Sequence, residues 1–146
     1  MAYKASNGIV AGATSISIPV VLRLAASSVE LTGIAYTGVT GASYQRQGAA
    51  RVAITPATQT VTGAYSSGGW VEIDATNQPG LYRFDVPDAA FARGADWVIV
   101  TVRVATAFVE HYYFPLNQDS RIYGTFATGT LAIEQATTSL SGPTAD

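Results

Sequence analysis

Apolar and polar residues alternate with a period of two along most of this chain, and that alternation constrains its fold more than any other feature. In Ser15–Leu24, SISIPVVLRL, the residues Ile16, Ile18, Val20, Leu22 and Leu24 have one parity, and Ser15, Ser17, Pro19 and Arg23 have the other. Successive side chains of a strand point to opposite sides, so the segment reads as a half-buried strand and not as a helix. Pro19 has no N–H to give to a ladder, which predicts an edge position. In Trp97–Val104, WVIVTVRV, four valines alternate with Trp97, Ile99, Thr101 and Arg103. That second set is itself mostly apolar, a pattern that only a sandwich interior or a subunit contact tolerates, so the segment predicts a central strand. Phe108–Leu116 follows after the short connection Ala105–Ala107 and is expected to pair with it as a hairpin.

Shorter strand candidates lie at Leu31–Tyr36, Ala42–Gln47, Arg51–Ile54, Thr58–Thr62, Trp70–Asp74 and Leu81–Val86. Turn residues separate most of them: Ser66-Ser67-Gly68-Gly69 before Trp70, and Asn77-Gln78-Pro79-Gly80 before Leu81. Many short strands with frequent turns predict an antiparallel sandwich or barrel. One stretch departs from the pattern. In Val86–Gly94 the alanines, Asp88 as an N-cap and Gly94 as a terminator predict a single helical turn crossing between strands. These signals divide the chain into an N-terminal arm (1–14), a β-sandwich domain (15–116) and a C-terminal arm (117–146). The last carries a candidate strand at Ile122–Ala127 and a candidate short helix around Leu131–Ala136. Some thirty residues cannot bury a core of their own, so this end is expected to be an arm and not a second domain.

Composition removes several function classes. The 146 residues include no cysteine and one histidine, which leaves no disulfide framework, no thiolate nucleophile and no cluster of imidazole ligands within one chain. The expectation is therefore no cofactor and no metal. A net charge of −2, with seven arginines placed singly, lacks the basic patch expected for nucleic acid or an anionic membrane. The N-terminal apolar stretch is too interrupted for a signal-peptide core, and no apolar run approaches the roughly 20 residues of a membrane span. Only 12% of residues are charged, about half the usual share. Either Ser, Thr, Ala and Gly cover the surface, or a partner does.

Few residues group into a catalytic pattern. His111 lies within a strand between Glu110 and Tyr112, and the chain has no Gly-x-Ser-x-Gly elbow to supply a nucleophile, so no catalytic residue is assigned and a non-enzymatic role is expected. Glu72 and Asp74 share a strand face, a spacing that could hold a hard cation, but they also fit the solvent side of a strand whose other parity is Val71 and Ile73. Asp85, Asp88 and Asp96 do not have calcium-loop spacing. The aromatic residues stand out more. Trp70, Trp97, Tyr112 and Tyr113 are candidates for a protein interface or, as an alternative, for a sugar-stacking platform, because their rings combine large area with a polar tip.

The segments Thr32-Gly33-Ile34-Ala35-Tyr36, Tyr44-Gln45-Arg46, Ser67-Gly68-Gly69-Trp70-Val71-Glu72 and Pro79-Gly80-Leu81-Tyr82-Arg83-Phe84-Asp85-Val86-Pro87-Asp88 carry a resemblance. Over roughly 15–116 the chain resembles a domain that recurs in structural proteins of tailed bacteriophages. The resemblance implies an all-β, antiparallel immunoglobulin-like β-sandwich located in the virion. The resemblance covers tail, fibre, baseplate and head-surface proteins alike; the domain standing nearly alone before a short polar arm leads to the expectation of a capsid decoration protein, or alternatively a tail, baseplate or fibre adaptor with carbohydrate binding in host attachment. Its partners would be other virion proteins, such as the major capsid protein or tail subunits. The expected assembly is a homotrimer or another closed symmetric oligomer.

Overall fold

The computed structural model describes residues 8–117. They form nine strands, numbered in chain order: β1 (Ile9–Val10), β2 (Ser17–Val21), β3 (Val39–Arg46), β4 (Val52–Ile54), β5 (Ala57–Thr58), β6 (Gly69–Asp74), β7 (Gln78–Asp85), β8 (Trp97–Val104) and β9 (Glu110–Asn117). One sheet has the order β1-β9-β8-β3-β4 and the other β2-β7-β6-β5. The β1–β9 and β5–β6 pairs are parallel, and the remaining pairs are antiparallel. The fold is all-β, and the two sheets share one apolar core in the manner of a sandwich.

The valine strand is central, as its two apolar faces predict. In β8, Val98, Val100, Val102 and Val104 are buried, and β9 adds Tyr112, Phe114 and Leu116 from the same side. Ile18 and Val20 of β2 and Tyr82 and Phe84 of β7 come from the other sheet. Pro19 does lie on an edge strand. Beyond β2 the chain bends across to the five-stranded sheet: Leu24 bridges to Ala107, Ala25 N donates to Thr106 O (2.9 Å), and Phe108 N donates to Arg23 O (3.0 Å). On the opposite side, the step from β4 to β5 takes only Thr55 and Pro56.

Several expectations are corrected. Leu31–Tyr36 is not a strand. Its backbone groups are taken up by side chains of the four-stranded sheet: Tyr82 Oη donates to Leu31 O (2.7 Å) and accepts from Ile34 N (3.2 Å), Trp70 Nε1 donates to Ile34 O (2.8 Å), and Glu72 Oε1 accepts from Gly33 N (2.9 Å). The stretch Thr58–Thr62 contributes only its first residue to a strand. The reversal before β7 falls at Ala75–Asn77, where the Asp74 carboxylate accepts from the Thr76 and Asn77 backbone N–H groups. Pro79 and Gly80 are inside β7, beside a register shift, and Gly80 takes a φ of +80° with its carbonyl accepting from Leu22 N (2.8 Å).

The helical crossover is a 3-10 turn, Asp88–Phe91. Asp88 does not cap it; Oδ1 instead accepts from Ser15 N (2.7 Å). Phe91 is buried edge-to-face on Phe114, ring centroids 6.0 Å apart, and so plugs one end of the core. The fold begins before Ser15. Ile9 of β1 pairs with Leu116 and is buried, as is Ala11, so part of the stretch expected as an arm is an edge strand. Residues 1–7 of the expected N-terminal arm, and 118–146 with the candidate strand Ile122–Ala127 and helix Leu131–Ala136, lie outside the described residues.

Candidate functional site

The four aromatic candidates separate by strand parity. Trp70 is 2% exposed, stacked on Tyr82 (centroids 4.8 Å, planes 18° apart) and edge-on to Phe84. Tyr112 is 8% exposed, and its phenol oxygen crosses the core to accept from Val21 N at 2.9 Å. Neither ring can meet an external sugar or subunit, so both are withdrawn as candidates. The register that buries Trp70 opposite Phe84 also turns Val71 outward, opposite Arg83, and Glu72 inward, opposite Tyr82. This reverses the expected parity of β6, because the larger indole takes the interior. Glu72 and Asp74 are therefore engaged with separate loops and do not form a pair. Among the described residues, no group of three or more His, Asp or Glu side chains is placed to hold a metal ion.

Trp97 and Tyr113 lie on the outer face of the five-stranded sheet. Tyr113 is 60% exposed and its ring is 6.1 Å from that of Trp97, the two planes tilted by 34°. The register arranges that face in cross-strand rows: Pro115 with Trp97; Tyr113 with Ile99 and Gln45; His111 with Thr101, Ser43 and Ala53; Arg103 with Gly41. The upper rows are aromatic and aliphatic apart from Gln45. The lower rows open into a depression of about 290 Å³ lined by Gly41, Ser43, Arg51, Thr101 and Arg103. His111 sits at their margin, its Nδ1 2.9 Å from Thr101 Oγ1, with no carboxylate in its row. No nucleophile–base–acid arrangement is assembled there. The apolar second parity of β8 predicted a sandwich interior or a subunit contact, and the register puts it on the outer side of the sheet. The two arginines were not singled out because Arg51 and Arg103 are far apart in sequence and come to line one depression only through the pairing of β4 and β8 with β3.

A second polar cluster was also missed. Asp85 is fully buried on β7, and its carboxylate accepts from Ser17 Oγ (2.6 Å), Gln59 Nε2 (2.7 Å), Ser66 N (3.0 Å), Arg83 Nε (2.8 Å) and Arg83 Nη2 (3.0 Å). Burial pushes this carboxyl up, but the Arg83 guanidinium, with Ser17, Ser66 and Gln59, outweighs burial and holds it below the usual carboxylate range. Arg83 Nη1 also donates to the carbonyls of Thr60, Val61 and Gly63, which fastens the 59–68 loop over the sheet. The saturation of this carboxylate by its own chain makes it an anchor, with no open position for a substrate.

Compared with protein-family models, with curated proteins and with solved structures, the chain matches none.

Proposed function

We propose that the protein is a non-enzymatic structural subunit of a tailed-bacteriophage virion, an accessory protein that decorates and stabilises the capsid through protein–protein contacts. The observation that carries this reading is the outer face of the five-stranded sheet. It is centred on Trp97, Ile99 and Tyr113, with an arginine-lined margin, which is the usual anatomy of a protein interface: an aromatic centre with arginine beside it. The 34° tilt between Trp97 and Tyr113 and the burial of Trp70 and Tyr112 leave little platform for a sugar, which favours a protein partner.

Strand order supports the finer, immunoglobulin-like reading. With β2 as strand B, β3 and β4 as C and C′, β6 and β7 as D and E, and β8 and β9 as F and G, the sheets run G-F-C-C′ and B-E-D. The inter-sheet disulfide of antibody domains has no counterpart, since the chain has no cysteine. Closure into a homotrimer at a threefold capsid site would set three copies of the β8 face against the capsid proteins around the axis.

The test is sedimentation with particles. Purified chain added to virions stripped of it is expected to pellet with the particles in many copies and to raise their resistance to heat. Chain that stays in the supernatant, or that is missing from purified virions by mass spectrometry, would contradict the proposal.

A further inference from the structure

The arginine-lined depression has a definite chemistry. Gly41, Ser43, Arg51, Thr101 and Arg103 enclose about 290 Å³ on the outer side of β3, β4 and β8. Arg103 lies over Gly41: a Cβ at Gly41 would be 3.3 Å from Nε and 3.5 Å from Nη2, so the absence of a side chain lets the guanidinium fold across the sheet. Among the described residues, the side chains of Arg51 and Arg103 make no ion pair or hydrogen bond, whereas Arg23, Arg46 and Arg83 are all engaged. No Asp or Glu occupies the cross-strand rows of this face. Two exposed guanidinium groups without a partner among the described residues therefore lie beside the hydroxyls of Ser43 and Thr101, the latter bonded to His111 Nδ1, and give this spot a positive charge in a chain whose net charge is negative.

We propose that this depression receives an acidic side chain of the neighbouring capsid protein, its carboxylate held between Arg51 and Arg103 with the hydroxyl of Ser43 as a further donor. The inference rests on the reading that a protein covers this face, and it adds the partner's chemistry: an acidic residue set beside an apolar patch that meets Ile99 and Tyr113. Planar bidentate geometry makes arginine the better receptor for such a group than lysine.

The experiment is an NMR titration of the full chain with hexaglutamate at low ionic strength, with hexaglutamine and inorganic sulfate as comparison probes. Saturable shifts are expected at the backbone amides of Gly41, Ser43, Arg51, Thr101 and Arg103, with no response to hexaglutamine. Arg51→Gln or Arg103→Gln is expected to weaken hexaglutamate binding about tenfold, and Arg103→Lys to weaken it less. Unchanged melting temperatures would show that the variants remain folded. The proposal is overturned if hexaglutamate gives no saturable shift, if its shifts centre on Arg23 or Arg93, if the glutamine variants bind as well as the parent, or if only sulfate binds. Particle sedimentation of the same variants separates the two readings. Retained sedimentation without hexaglutamate binding removes the acidic contact alone, whereas hexaglutamate binding without sedimentation removes the virion role alone.

Discussion

Arg83 and Asp85, two residues apart on the outer side of β7, form a two-point ion pair, with Nε 2.8 Å from Oδ1 and Nη2 3.0 Å from Oδ2. The pair joins the sheet to the loop above it: the carboxylate holds Ser17, Gln59 and the Ser66 amide, and the free end of the guanidinium holds three loop carbonyls. A buried pair need not outperform apolar packing, but removing one member leaves an uncompensated charge in the interior.

Arg83→Gln is therefore expected to cost about 3–5 kcal/mol in denaturant unfolding. The pair also sets an acid limit. The Asp85 carboxyl is held lower in the folded chain than in the unfolded chain, so its contribution is fully present above the unfolded value of about 3.9 and is lost as the pH falls through the folded value. Asp85→Asn is expected to lower stability at neutral pH and to flatten its decline below about pH 4. An unchanged acid profile in that variant would count against the anchor.

Tyr112 sets the corresponding limit in alkali. Burial, with the nearby Glu110 charge adding to it and the Val21 N–H opposing it, leaves the phenol pushed up to about 12. A raised value means that the stabilisation is fully present below the unfolded value of about 10 and is lost as the pH rises through the folded one. Tyr112→Phe is expected to cost about 1 kcal/mol at neutral pH, for the Val21 N–H left without its acceptor, and to reduce the alkaline loss. Tyr82, also raised by burial, keeps part of that loss in place. Thermal melts of both proteins at neutral and alkaline pH measure the difference.

Gly68 and Gly33 both take positive φ, +82° and +77°, but only Gly68 is crowded: a side chain there would run into the Thr55 carbonyl oxygen. Gly33→Ala is expected to cost about 1–2 kcal/mol for the left-handed backbone alone. Gly68→Ala is expected to cost more, because it also forces the 55–57 and 66–68 segments apart. Equal losses in a chemical denaturation series would show that the close approach is unimportant.

The strands were legible where one face is uniformly buried. The β8 alternation gave its boundaries, its central place and its pairing with β9, and Pro19 gave an edge. Reading failed where a side chain replaced a ladder. Leu31–Tyr36 has strand-like residues, yet Tyr82, Trp70 and Glu72 satisfy its backbone from another sheet, a relationship spread over some fifty positions of sequence. It failed again where two apolar parities competed, since Val71 and Ile73 lose the interior to Trp70. On the candidate face, Trp97 and Tyr113 were accessible from the sequence, while the convergence of Arg51 and Arg103 depends on two strand registers that no local pattern specifies.

If the β8 face is the contact with the capsid, a charge at its centre should release the chain from the particle without unfolding it. Tyr113 is exposed, so Tyr113→Asp is expected to leave the melting temperature nearly unchanged. In sedimentation with particles, the wild-type chain is expected in the pellet and the variant in the supernatant, while light scattering gives both a mass near three times the 15.2 kDa chain. A variant that still pellets with the particles would place the contact elsewhere.

A density map of the intact particle tests the central claim most directly. The account predicts this chain at a symmetry axis of the capsid, with Trp97, Ile99 and Tyr113 covered by a neighbouring subunit. A particle map without the chain, or one in which that face is open to solvent while another surface makes the contacts, would contradict it.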